Sequence, residues 1–183
     1  ATALDGLDAI EAEYENLPVV IGTDQAAASR EIWTEAPGNQ SFIWELGNGE
    51  ETERAIAEAI HVTRLMVRHP RIVVSPIEPR GALGEFDVES GRFTLTTPSQ
   101  GTVSLRAAMA EILDVSENSV RVVTHDVGGS FAVKIWPYPE QALVLFAARM
   151  LGRPVKWLAS RSESSVADAQ GRARTDHATL ALD

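Results

Sequence analysis

The chain has no cysteine in its 183 residues, so disulfides, thiolate metal sites and cysteine nucleophiles are excluded from its chemistry. Basic clusters are also missing. With a formal net charge of −10 there is no run of Lys and Arg to neutralise phosphates, so a nucleic-acid footprint is excluded. The four histidines, His61, His69, His125 and His177, are scattered without zinc-type spacing, and each reads as a surface or satisfied core residue. Long apolar runs are missing too. The longest, Ala142 to Ala148, is far short of the roughly 18 residues a membrane span needs, and the acidic start is no signal peptide. A soluble protein is expected, and the absence of cysteine fits a cytoplasmic location. Methionine is absent before Met66 and the chain opens on Ala1. The closing Ala178-Thr179-Leu180-Ala181-Leu182-Asp183 alternates like a strand cut short, so a fragment is expected.

What is present is enough to fold. A chain with 44% hydrophobic residues can bury one sizeable core or two small lobes. Residues 1 to about 9 favour helix, and Ile10 to Glu15 alternates like a half-exposed strand that Leu17-Pro18 stops. Ala36-Pro37-Gly38-Asn39 is a turn cluster and the best internal boundary. Ser41 to Leu46 reads as a strand, and Glu51 to Ala59 as a helix with an acidic start. Ile60 to Val67, Arg71 to Val74, Gly81 to Phe86 and Arg92 to Thr97 read as strands, the last two joined by a hairpin turn at Glu89-Ser90-Gly91. The period then changes to helical, with Val103, Leu105, Ala108, Met109, Ile112 and Leu113 on one face. Val120 to Val123 is a short strand, Pro139 to Leu151 a helix capped by Gly152, and Val155 to Leu158 a buried strand. Ser160 to Ala169 is a short helix or surface loop. The fold class expected is α+β, mixed sheets with packed helices.

One run stands out between the Val120–Val123 strand and the Pro139 helix: Asp126-Val127-Gly128-Gly129-Ser130-Phe131-Ala132-Val133-Lys134. Adjacent glycines free backbone N–H groups to converge on an anion or a metal-bound oxygen. The same pair is also what a simple tight turn requires. It lacks the third glycine of a dinucleotide fingerprint, and its Lys does not precede Ser or Thr as in a Walker loop.

Three motifs stand in order: Glu78-Pro79-Arg80-Gly81, Ser99-Gln100-Gly101 before one helix, and Asp126-Val127-Gly128-Gly129-Ser130-Phe131 before another. Gly152-Arg153-Pro154-Val155-Lys156-Trp157 follows them. In this order they resemble the large subunit of the molybdenum hydroxylases, the xanthine dehydrogenase, aldehyde oxidase and carbon monoxide dehydrogenase family. The likeness runs from Ile10-Glu11-Ala12-Glu13-Tyr14-Glu15-Asn16-Leu17-Pro18 to the end of the chain.

The resemblance implies that residues 1–36 are the tail of a preceding hammerhead-like domain with its linker, and 37–183 part of the first molybdopterin-binding domain. It implies the molybdenum cofactor, its cytosine dinucleotide form included, with iron–sulfur clusters and FAD on partner subunits. Gln100, with Gly101 beside it, then corresponds to the glutamine that hydrogen-bonds a molybdenum ligand, a task suited to an amide that donates and accepts without charge. Gly128, Gly129, Ser130, Phe131 and Ala132 correspond to a Gly-Gly-Gly-Phe-Gly segment that brings main-chain N–H groups to the metal's oxo face and the pterin. Ser130 and Ala132 replace glycines, and each adds a Cβ that favours φ < 0. Ile135 falls where the purine-oxidising branch carries a substrate-binding glutamate. It would line the substrate pocket and disfavour xanthine, leaving an aldehyde, a similar small molecule or carbon monoxide.

No direct metal ligand and no catalytic residue is expected in this stretch, the family's base glutamate lying further along the chain. The rest of the large subunit would be a partner, and the isolated chain would be inactive. Glu78 and Arg80 read as a structural corner held by an ion pair or as an active-site carboxylate with its partner, the corner preferred. Trp136, Tyr138 and Trp157 read as core or interface anchors. Arg161 and Glu163 resemble an Asp-Arg-Ser-Glu stretch with Ser160 in place of Asp, and no chemistry is assigned to them. Two rival readings remain: a non-catalytic scaffold or assembly module for partner subunits, and a phosphate-binding domain using the loop as an anion nest.

Overall fold

In the computed structural model, which describes residues 3–183, the elements follow in the order α1 (Ala3–Asp8), α2 (Thr23–Ala26), α3 (Gly49–Glu58), β1 (His61–Ile72), β2 (Gly81–Asp87) and β3 (Arg92–Thr96). Then come α4 (Thr102–Leu113), β4 (Val120–Val123), α5 (Pro139–Leu151), β5 (Val155–Leu158), α6 (Arg161–Ala167) and β6 (Gly171–Leu182). Two units emerge, one of residues up to 69 with 173–183 and one of residues 70–172. The helix expected at the N-terminus is α1, with residues 1 and 2 outside the described residues.

In the first unit β1 and β6 form a two-stranded ribbon. Arg68 bonds Asp24 at 2.9 Å and His69 bonds Asp176 at 3.0 Å. Two expected strands fail here: Ile10 to Glu15 and Ser41 to Leu46 belong to no strand. Alternation alone makes no ladder, because a strand exists only where a neighbour takes its N–H and C=O groups. The two strands expected at 60–67 and 71–74 are instead the single strand β1, which runs through Pro70. A ribbon has an outward edge on both strands, where a proline forfeits no ladder bond. The strand expected only at 178–183 begins at Gly171.

In the second unit the sheet order is β4-β3-β2-β5. β2 is antiparallel to β3 and β5, whereas β3 and β4 are parallel, so the sheet is mixed as expected. Phe93, Leu95, Ala82 and Val120 face Leu105 and Met109 of α4 and Val144 and Leu145 of α5 in one buried cluster. α5 approaches β2 closely at Gly84, where a Cβ would lie 2.5 Å from the Val144 carbonyl. Only a residue without a side chain permits that contact. The apolar face expected for α4 is narrower than its pattern: Leu105, Met109 and Ala110 are buried, while Val103 and Ile112 are exposed. β5 is half-buried rather than fully buried, because it is an edge strand.

The parallel β3–β4 pair, with Thr96 opposite Val123, sends both following loops out at the same end of the sheet. Antiparallel β2 starts at that end, with Gly81 opposite Leu158 where β5 finishes. All three sequence motifs therefore meet at one edge.

Candidate functional site

Thr97 ties that edge together. Its N–H donates to the Val123 carbonyl at 3.0 Å, its hydroxyl to the Gly81 carbonyl at 2.7 Å, and Gln141 of α5 donates to its hydroxyl at 3.3 Å. The chain then turns through Ser99, whose Oγ accepts from Gly101 N at 3.0 Å, and enters α4 with Gly101 at its N-cap.

The Gly-Gly loop is anchored by Glu78. The Gly128 N–H donates to Glu78 Oε2 at 2.8 Å, and the Glu78 N–H donates to the Gly128 carbonyl at 3.0 Å. A Cβ on Gly128 would lie 2.6 Å from that of Glu78, so the glycine is required by close approach. The same Glu78 oxygen accepts from Lys134 Nζ at 2.6 Å, and the Lys134 side chain is only 1% exposed. Burial pushes the Glu78 carboxyl up, but the Lys134 hydrogen bond, the Gly128 N–H and the Lys134 charge outweigh it and hold the group below its ordinary value. Glu78 is thus committed to the loop and has no ion pair with Arg80, contrary to the corner expected from sequence.

Arg80 pairs elsewhere. Its Nε donates to Asp168 at 2.6 Å, its terminal nitrogens to Glu140 at 3.0 and 3.4 Å, and its guanidinium lies 3.6 Å from the Tyr138 ring centre. Burial lowers its pKa, yet the bonds it donates to Glu140 and Asp168 more than reverse this. Tyr138 is buried as an anchor, and burial pushes its phenol up. Trp136 is exposed. Arg161 donates to the carbonyls of Pro76 and Ile77 at 2.6 and 2.7 Å, bracing the segment before Glu78. Glu163 makes a capping box with Ser160, and its bonds to the Ser160 N–H and hydroxyl hold its carboxyl below the ordinary range.

Gln100 and the loop are brought together. The Gln100 N–H donates to the Lys134 carbonyl at 3.1 Å, and the Ser130 hydroxyl donates to Gln100 Oε1 while accepting from the Lys134 N–H at 3.0 Å. Sequence reasoning missed Lys134, which reaches both Glu78 and, through its main chain, Gln100. Its only signal was a lone cation between Val133 and Ile135.

The loop backbone departs from expectation. Ala132 adopts φ 72° and Phe131 φ 49°, in the left-handed region where a Cβ costs about 1–2 kcal/mol. The Cβ at 132 therefore does not enforce negative φ. A turn over residues 131–134 follows the glycines, and α5 begins only at Pro139. Among the described residues, the N–H groups of Gly129, Ser130, Phe131 and Ala132 have no acceptor. Gly128, Gly129, Phe131, Ala132 and Ile135 are exposed beside Gln100, which is also exposed, while Ser130 is buried. Four successive unpaired N–H donors next to a carboxamide can hold an acceptor-rich anionic or oxo group without adding charge. Among the described residues no three His, Asp or Glu side chains cluster as metal ligands. No helix of these residues is long and apolar enough to cross a membrane.

A family model described as the molybdopterin cofactor-binding domain matches residues 32–183. The carbon monoxide dehydrogenase large chain of Hydrogenophaga pseudoflava is 30% identical over 176 residues, covering 88% of this chain and 22% of that protein. The 6-hydroxypseudooxynicotine dehydrogenase complex subunit gamma of Paenarthrobacter nicotinovorans is 33% identical over 184 residues, covering 99% of this chain and 22% of that one. Among solved structures, reconstituted CO dehydrogenase from Oligotropha carboxidovorans is similar with a TM-score of 0.87 at 26% identity, covering 98% of this chain and 24% of that one. The chain spans under a quarter of the length of each of these.

Proposed function

The chain belongs to the molybdopterin cofactor-binding domain family, and from that premise we propose that it forms one wall of the cofactor pocket in the large subunit of a molybdenum hydroxylase-type oxidoreductase. The observation that carries this reading is the joining of Gln100 to Ser130, which sets a carboxamide beside the four unpaired N–H groups of residues 129–132. That donor set suits a polar, acceptor-rich cofactor edge. The kinship with dehydrogenase subunits supports the reaction class.

When bound, the cofactor supplies the redox centre for oxidative hydroxylation of a small substrate. This chain's part is to hold and orient. Gly129, Ser130, Phe131 and Ala132 offer main-chain donors, Gln100 offers its amide, Gly128 lets the loop pack against Glu78, and Gly101 opens α4. Exposed Ile135 offers an apolar contact that cannot hydrogen-bond a purine, which favours an aldehyde, a similar small molecule or carbon monoxide. Glu78 is assigned to holding the loop rather than to acid–base chemistry, since its Oε2 accepts from both Lys134 and Gly128. The base and the remaining pterin contacts, those of a cytosine dinucleotide form included, are assigned to the rest of the large subunit. Iron–sulfur and FAD subunits would be the electron-transfer partners, in a cytoplasmic complex. Residues 1–36 are assigned to the tail of a hammerhead-like domain and its linker, and 37–183 to the first cofactor-binding domain.

Molybdenum and pterin analysis tests this in two arms. The complete large subunit should lose most of its cofactor on Gln100→Ala, and the isolated 183-residue chain should purify without stoichiometric metal or activity. Full cofactor content in the Gln100→Ala subunit would overturn the placement of Gln100. Stoichiometric metal with turnover in the isolated chain would overturn the division of the site.

A further inference from the structure

We propose that Ser130 is a positioning residue that fixes which end of the Gln100 carboxamide faces a bound group, so that Gln100 acts there as a donor only. This rests on the reading that Gln100 meets the cofactor. A hydroxyl has one proton and two lone pairs. At Ser130 the main-chain N–H of Lys134 donates to the oxygen at 3.0 Å, and the proton goes to Gln100 Oε1. Ser130 is 8% exposed, so little water can replace either partner.

Rotating the carboxamide by half a turn would set its NH₂ group against the Ser130 oxygen. The hydroxyl proton would then have no acceptor among the described residues, and a buried donor without a partner is disfavoured. The other end of Gln100 is also held, since its main-chain N–H donates to the Lys134 carbonyl at 3.1 Å. What remains is Nε2 with two hydrogens, which has no acceptor among the described residues and sits on an exposed side chain. Gln100 would therefore pair with an atom that presents a lone pair and discriminate against a group that can only donate. Alanine or glycine at 130 would remove this constraint while leaving the main-chain donors in place.

Side-chain NMR of the full chain is the direct test, because it needs no cofactor. In the unmodified protein the Gln100 Nε2 group should be as ordered on the ps–ns timescale as buried amides; the disorder of a free surface glutamine would overturn the proposal without any variant. Ser130→Ala should abolish that order and move the Gln100 carbonyl-carbon shift toward that of a free glutamine, and Ser130→Thr should restore both. Unchanged Gln100 signals in Ser130→Ala would overturn it. Donor-only action is read from cofactor content in the complete large subunit. Gln100→Glu, which offers acceptors alone at neutral pH, should lose at least as much pterin as Gln100→Ala. Loss in Gln100→Ala with retention in Gln100→Glu would overturn the donor assignment. Retention in both would instead overturn the reading beneath it.

Discussion

Lys134 organises the loop from beneath: its ammonium holds Glu78, which in turn holds Gly128, and its main chain meets both Ser130 and Gln100. Glu78→Gln would leave a buried ammonium without its counter-charge, the costlier way to break such a pair. The loss should be about 1–3 kcal/mol, between the exposed and the buried cases, because the Lys134 side chain is buried while that of Glu78 is 38% exposed and partly screened. The pH dependence follows from the depressed Glu78 pKa. The native state binds fewer protons at this group than the unfolded chain does, so its contribution is complete above the ordinary value of 4.5 and is lost as pH falls through the lower folded value. Urea unfolding below about pH 5 should show this loss, and Glu78→Gln should make it shallower, the remainder coming from other depressed carboxyls such as Glu163. An unchanged slope in the variant would show that Glu78 contributes nothing to it. The glycine pair was legible in the sequence because adjacent glycines are distinctive. The partners of Glu78 and Arg80 were not, because two nearby opposite charges said nothing of cations and anions brought in from 50 or more residues away.

At the scale of elements, periodicity located β2, β3, β4, α4 and α5 well, since each has a clear apolar face or a turn signal at its end. It failed at Ile10 to Glu15 and Ser41 to Leu46, where alternation has no neighbouring strand to pair with, and over β1 and β6, where pairing extends through residues of no clear pattern. The crossing of α5 over β2 depends on one residue the pattern left unremarked. Gly84→Ala would place a methyl 2.5 Å from the Val144 backbone. Because backbone atoms cannot rotate aside, stability should fall by about 2–3 kcal/mol. Equilibrium urea denaturation reads this as a lower midpoint with an unchanged slope; an unshifted midpoint would mean that α5 sits further from β2.

For the whole molecule, the sequence order of the three motifs pointed to a shared site, and the topology explains how they share it. A parallel β3–β4 pair flanked by antiparallel β2 delivers all three to one end of the sheet. How the donors there are tethered was not legible, because tethers such as Ser130 to Gln100 span 30 residues. On the reading proposed above, this edge is a wall of the molybdenum cofactor pocket. Anomalous diffraction at the molybdenum edge, from crystals of the complete loaded large subunit, locates the metal against this edge. A single metal peak should face Gln100 and the 129–132 loop, with cofactor density within hydrogen-bonding reach of their free N–H groups. A peak at another face of this domain, with those groups bonded only to protein or water, would rule this edge out as the pocket wall.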